Sequence, residues 1–114
     1  MTPGKYNILC PQGATFAKQL TYRIDGDPVD LTGYTARMQV RENHASKNIV
    51  VDINTQNSGI TLGGEEGTID LFINDQDTEL IFPKKYVYDL EIASSSEVYR
   101  ILEGNFIVTP EVTR

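Results

Sequence analysis

Asp25, Asp27 and Asp30 crowd one short stretch of the chain. Three carboxylates so close are the first ingredient of a calcium loop, because that ion takes hard oxygen ligands. The pattern then fails, since Pro28 interrupts it and no glutamate closes the loop at its twelfth position. An acidic turn is the simpler account. Asn74, Asp75, Asp77 and Glu79 raise the same idea. Capping explains them without an ion: an Asn or Asp side chain takes up a free N–H at a helix start, and acids in the first turn suit the macrodipole.

Other groups with reactive side chains fare no better. Gly63-Gly64-Glu65-Glu66-Gly67 has the glycines of a phosphate cradle, but such a cradle wants a following helix and a basic residue. His44 is the single histidine and Cys10 the single cysteine. Neither a thiolate metal cluster nor an intrachain disulfide can form, and one histidine does not build a zinc site. Ser94, Ser95 and Ser96 lie in no G-x-S-x-G elbow. The reading is therefore a chain that is not an enzyme and takes no cofactor or metal. Arg100 with Glu103 stands apart, because an arginine fixed by a carboxylate serves as a structural clamp or an interface anchor. Tyr34 and Tyr99 are expected at the surface, where tyrosine favours protein contact, and Tyr86 and Tyr88 in the core.

These side chains must be carried by strands. Tyr34 to Arg41 reads as a strand, with Ala36, Met38 and Val40 on one face and Thr35, Arg37, Gln39 and Arg41 on the other. A strand with charges on one side belongs to a sheet buried on its other side. Turn signals recur every eight to twelve residues, which is the spacing of a sandwich or barrel. Further strands are expected over 6–9, 15–24, 49–53, 60–62, 68–73, 85–93 and 98–108. Residues 94–97 form a hairpin loop. Arg100 and Gly104 interrupt the apolar face of the last strand, so a bulge is expected near Gly104. One short helical turn is expected near 75–81, with Leu80 and Ile81 sealing it onto the core. The prediction is an all-β, antiparallel sandwich of seven to nine strands in a single domain over 1–114. Residues 1–5 and 109–114 are polar tails.

Composition agrees. Apolar residues are 39% and charged residues 23% of 114, a globular balance with enough chain for one core. Sixteen acids against ten bases give −6, which argues against a nucleic-acid surface. No apolar run has the length to span a bilayer, and no apolar segment follows Met1-Thr2-Pro3-Gly4-Lys5 as a signal peptide requires.

The run Gly26-Asp27-Pro28-Val29-Asp30-Leu31-Thr32-Gly33, followed by Tyr34 to Arg41, resembles the N-terminal domain of upper-baseplate proteins of tailed phages. Gly67 to Leu71, Tyr86 to Ile92, Arg100 to Gly104 and Val108 to Arg114 follow in the order seen in small proteins of such phages. The resemblance implies an immunoglobulin-like sandwich that serves as a virion building block in several copies, made in the host cytoplasm. It also implies other virion proteins as partners, without nucleic acid or membrane. Because no receptor-side extension follows Arg114, a tail- or baseplate-associated adaptor or decorating subunit is expected. A head or neck decoration protein and a carbohydrate- or receptor-binding module are the alternatives. In that role the candidate interface comprises Tyr34, Arg37, Gln39, Arg41, Tyr99, Arg100, Glu103 and Arg114.

Overall fold

The computed structural model describes residues 3–113. Its largest sheet joins β1 (Gly4–Lys5), β2 (Ile8–Pro11), β6 (Thr35–Arg41), β7 (Val51–Asn54), β10 (Lys85–Ala93) and β11 (Val98–Thr109). The order is β1-β11-β10-β6-β7, and β2 also pairs with β11. A second sheet runs β3 (Phe16–Thr21), β9 (Thr68–Ile73), β8 (Ile60–Leu62), and β4 (Arg23–Ile24) pairs with β5 (Asp27–Pro28) in a separate ribbon. One 3-10 turn, Gly64–Glu66, and one short helix, α1 (Asp75–Glu79), complete the described elements.

The inward faces of the two main sheets share one apolar core. Ala36, Met38 and Val40 from β6 and Ile69, Leu71 and Ile73 from β9 are members of it, and the Tyr86 to Ile92 alternation of β10 is buried as well. Phe16 of the small sheet packs edge-on against Phe106 of the large one, with centroids 5.9 Å apart, a favoured geometry for aromatic rings. Period-two alternation thus places the charges of β6 and β10 on the opposite, outer face.

The all-β class agrees with the sequence reading, but several details correct it. Eleven strands occur among the described residues where seven to nine were expected. The large sheet is mixed, because β1 and β2 both run parallel to β11. Gly4 and Lys5, read as part of a polar tail, pair with Leu102 and Glu103. The other tail is tied as far as Glu111, whose N–H donates to Gln12 Oε1 at 3.2 Å. The long strand expected over 15–24 stops at Thr21, since the Tyr22 carbonyl accepts from Val29 N–H and the chain leaves its sheet. Asp25 and Gly26 then close the β4–β5 ribbon at φ 53° and 86°, the two positive angles of a type I′ hairpin.

At the other end of the core, Asn74 caps α1, with Oδ1 accepting from Asp77 N–H at 2.8 Å. Ile81 seals the turn against the core but Leu80 does not: it is 83% exposed. The bulge also sits elsewhere. Leu90 pairs with Leu102 and Glu91 with Arg100, so Ile101 is the extra residue. Gly104 has a different task. A Cβ there would lie 2.2 Å from the Tyr6 carbonyl oxygen, and only glycine lets the β1–β2 connection run so close alongside β11.

Candidate interaction face

The Asp30-Leu31-Thr32-Gly33 turn sets the position of β6. Asp30 Oδ1 accepts from Thr32 N–H at 2.9 Å, and Leu31 C=O accepts from Tyr34 N–H at 3.0 Å. Gly33 at φ +83° supplies the third position of a type II turn, which L side chains avoid. The hydrogen bonds from Thr32 hold the Asp30 carboxyl below its usual range. The turn drives Leu31 into the core, where it is 1% exposed, and Leu31 N–H donates to Gly64 C=O at 2.9 Å. The glycine-rich loop, which lacks the helix and basic residue of a phosphate cradle, is an anchor for this turn.

From there β6 runs out with Arg37, Gln39 and Arg41 on the outer face, opposite β10. Arg37 and Glu91 are direct cross-strand partners, with Nη2 3.0 Å from Oε1. Gln39 donates to Asp52 Oδ2 at 3.3 Å, and Arg41 donates to Gln39 Oε1 and to the Ser46 carbonyl, both at 2.9 Å. The bulge at Ile101 turns Arg100 onto the same face. There its Nε lies 3.4 Å from Asp89 Oδ2 and its Nη1 3.7 Å from Glu103 Oε1. Lys5 pairs with the other oxygen of Glu103. The lysine bond and the neighbouring cations lower the Glu103 carboxyl below its usual range. Partial burial and then Glu91 raise the Asp89 carboxyl, against the pull of Arg100.

Between these rows lies a shallow concavity of about 400 Å³, lined in part by Arg37, Arg41, His44, Asp89, Arg100 and Glu103. Lys5, Arg37, Arg41 and Arg100 are matched on this face by Asp52, Asp89, Glu91 and Glu103. With Lys85 also outward on β10 and facing Ile107, not an acid, the face is close to neutral, and the net −6 of the chain falls on the rest of the surface. Cross-strand charge pairs of this sort contribute about 0.2–1 kcal/mol each, so they fix side-chain positions more than they hold the fold. Chemically the face is a rigid array of alternating donors and acceptors.

The candidate residues of the sequence reading divide. Arg37, Gln39, Arg41, Arg100 and Glu103 come together here. Tyr34 and Tyr99, expected to be exposed for contact, are half-buried and pack against the core on the inner side, because Tyr99 pairs with Ile92, an inward residue. The Tyr99 hydroxyl bonds the Glu97 carboxylate, which raises its pKa. Arg114 lies outside the described residues. Lys5, His44, Asp89 and Glu91 belong to the face but were not among its expected members. For Asp89 and Glu91 a signal existed, since acids at alternate positions opposite a strand with alternate arginines imply pairing. For Lys5 there was none.

The acidic stretches have local explanations: Asp25 is a hairpin-turn residue and Asp30 an Asx-turn residue, while Asn74 caps α1. Among the described residues no three His, Cys, Asp or Glu side chains converge as a metal site would need. No protein-family model matches the chain, and no curated protein matches it.

Proposed function

We propose that this chain is a noncatalytic structural subunit of a tailed-phage virion, an immunoglobulin-like adaptor or decorating module of the tail or baseplate that binds other virion proteins. The observation that carries the reading is the outer face of the large sheet. Five side chains singled out from the sequence stand there on one rigid, charge-alternating surface. Such a surface selects a protein partner by matching sign and register, since charge pairs give specificity more than raw affinity. Its balanced charge suits a polar protein contact better than a phosphate backbone, which selects clustered cations. The likeness of the Gly26 to Arg41 turn and strand to phage baseplate domains supplies the virion context.

Mass spectrometry of purified particles tests this. The chain is expected in the particle at a stoichiometry of several copies, and its absence from intact particles would overturn the assignment. Cross-linking within particles then separates tail from head, because Lys5 should link to the neighbour on the charged face.

A further inference from the structure

Two surfaces beyond the concavity of that face are unusual. Leu80 is 83% and Phe82 73% exposed, on either side of the buried Ile81, in the loop between α1 and β10. Large apolar side chains held out by a short, anchored loop form a prong. Asp75, Asp77 and Glu79 stand on its helical side. On the other side Lys84 is paired with Glu42, leaving Lys85 as the nearby unmatched cation, so the prong is acidic on balance.

The second surface is a groove of about 270 Å³ where the sheets part between the edge strands β1 and β3. Its walls include Tyr6, Leu20, Ile69, Leu90, Ile101 and Leu102, and no acid lines it. Lys5 lies on its rim, and Lys18 reaches across from β3 to place Nζ 5.1 Å from the Tyr6 ring centroid. Glu103 neutralises Lys5 in part but is shared with Arg100, so the rim is basic on balance. The volume falls below the roughly 300–1,000 Å³ of small-molecule pockets. An apolar cavity of about 150 Å³ holds a benzene ring, which leaves this groove room for a Phe ring and a Leu side chain together.

We infer that the groove receives the Leu80–Phe82 prong of a second copy of this chain. Apolar side chains meet apolar walls, and an acidic flank meets a basic rim. The two surfaces lie apart along the sheet. The prong precedes Lys85, whereas Leu90 of the groove is five residues further along β10, about 17 Å at the rise of a strand. A prong of one copy in the groove of the next joins two different patches, a heterologous contact, and repeated copies close a ring or extend a filament. The inference deepens the structural-subunit reading by naming one partner.

Sedimentation velocity of the full chain over a range of concentrations tests it. Association is expected in the unmodified protein, and Leu80→Asp with Phe82→Asp should weaken it by about thirtyfold or more, as loss of buried anchors does. These residues are exposed, so the variant should keep its near-ultraviolet circular dichroism. A groove variant, Lys18→Glu with Leu20→Glu, should also be monomeric. Lys18→Glu alone, which leaves the core untouched, should weaken association if the double variant fails to fold. Mixing prong and groove variants should give a single one-to-one heterodimer, because one intact prong and one intact groove remain. An unmodified chain that stays monomeric at millimolar concentration overturns the inference. So does association indifferent to the prong substitutions, or a mixture that forms no heterodimer. A monomeric chain found in purified particles would sink this contact alone, and a self-associating chain absent from them would sink only the virion role.

Discussion

Thr78 is a hydroxyl with no water to bond, being fully buried. It donates to the Ala14 carbonyl at 2.8 Å and accepts from Gly13 N–H at 3.1 Å, pinning α1 to the β2–β3 turn. Thr78→Val keeps the shape and strands both backbone groups, so a loss of about 1–3 kcal/mol is expected, read as a lower urea midpoint with an unchanged slope. Glu103 makes a pH-dependent prediction. Its folded pKa is depressed by Lys5 and Arg100, so its contribution is present above the ordinary value of 4.5 and lost as pH falls through the lower folded value. The stability gap between the unmodified chain and Glu103→Gln should therefore close below pH 4.5. A gap that stayed constant from neutral pH down to acid would show that the carboxylate is not held this way. Cys10 behaves as a packing residue: burial pushes its thiol up to about 11, where little thiolate exists at neutral pH.

At the scale of elements, β11 organises the molecule. It pairs antiparallel with β10 on one side and parallel with β1 and β2 on the other. Two irregularities make that possible. The bulge at Ile101 sends Arg100 outward while Leu102 stays on the inner side, and Gly104 lets Tyr6 pass. The Tyr6 carbonyl accepts from the buried Tyr88 hydroxyl at 2.6 Å, and Asn7 Oδ1 accepts from Asn105 N–H at 3.0 Å. Gly104→Ala pushes a methyl into that close approach and should cost about 1–3 kcal/mol, as overpacking does. Hydrogen exchange locates the damage. Faster exchange is expected at the β1 and β2 pairings with β11, with the β6–β10 pairing unchanged, whereas uniform acceleration would mean the close approach at Gly104 is not the weak point.

For the whole molecule, charge is partitioned. The outer face of the large sheet is close to neutral, and the excess of acids lies elsewhere. Exchanging one pair across the face, Arg37→Glu with Glu91→Arg, conserves the ladder while reversing its local sign. Folding stability should change by no more than about 0.5 kcal/mol, the usual range for surface substitutions. On the proposed virion role, occupancy of the chain in particles should fall, measured against an unchanged virion protein. Undiminished occupancy would remove this face from the assembly contact.

Much of this was legible in the chain. The strands over 60–62, 68–73 and 85–93 follow from alternation. Period two is a local property, and a one-sided sheet is its only economical outcome in water. The Asp30 to Gly33 turn, the cap at Asn74 and the outward row Arg37-Gln39-Arg41 were local in the same way. The rest depended on partners far away along the chain. Lys5 reaches Glu103 across 98 positions, and no feature within its own neighbours announces a parallel pairing. The bulge fell at Ile101 because the register with β10 decides which residue is left over. Leu80 and Ile81 are adjacent apolar residues, and only the path of the loop chose which is buried. The sequence alone determined which side chains face out, since that needs only the pleat of each strand. Which outward side chains stand together, and which apolar ones remain uncovered, was settled by how the sheets close, because burial is a property of the assembled core.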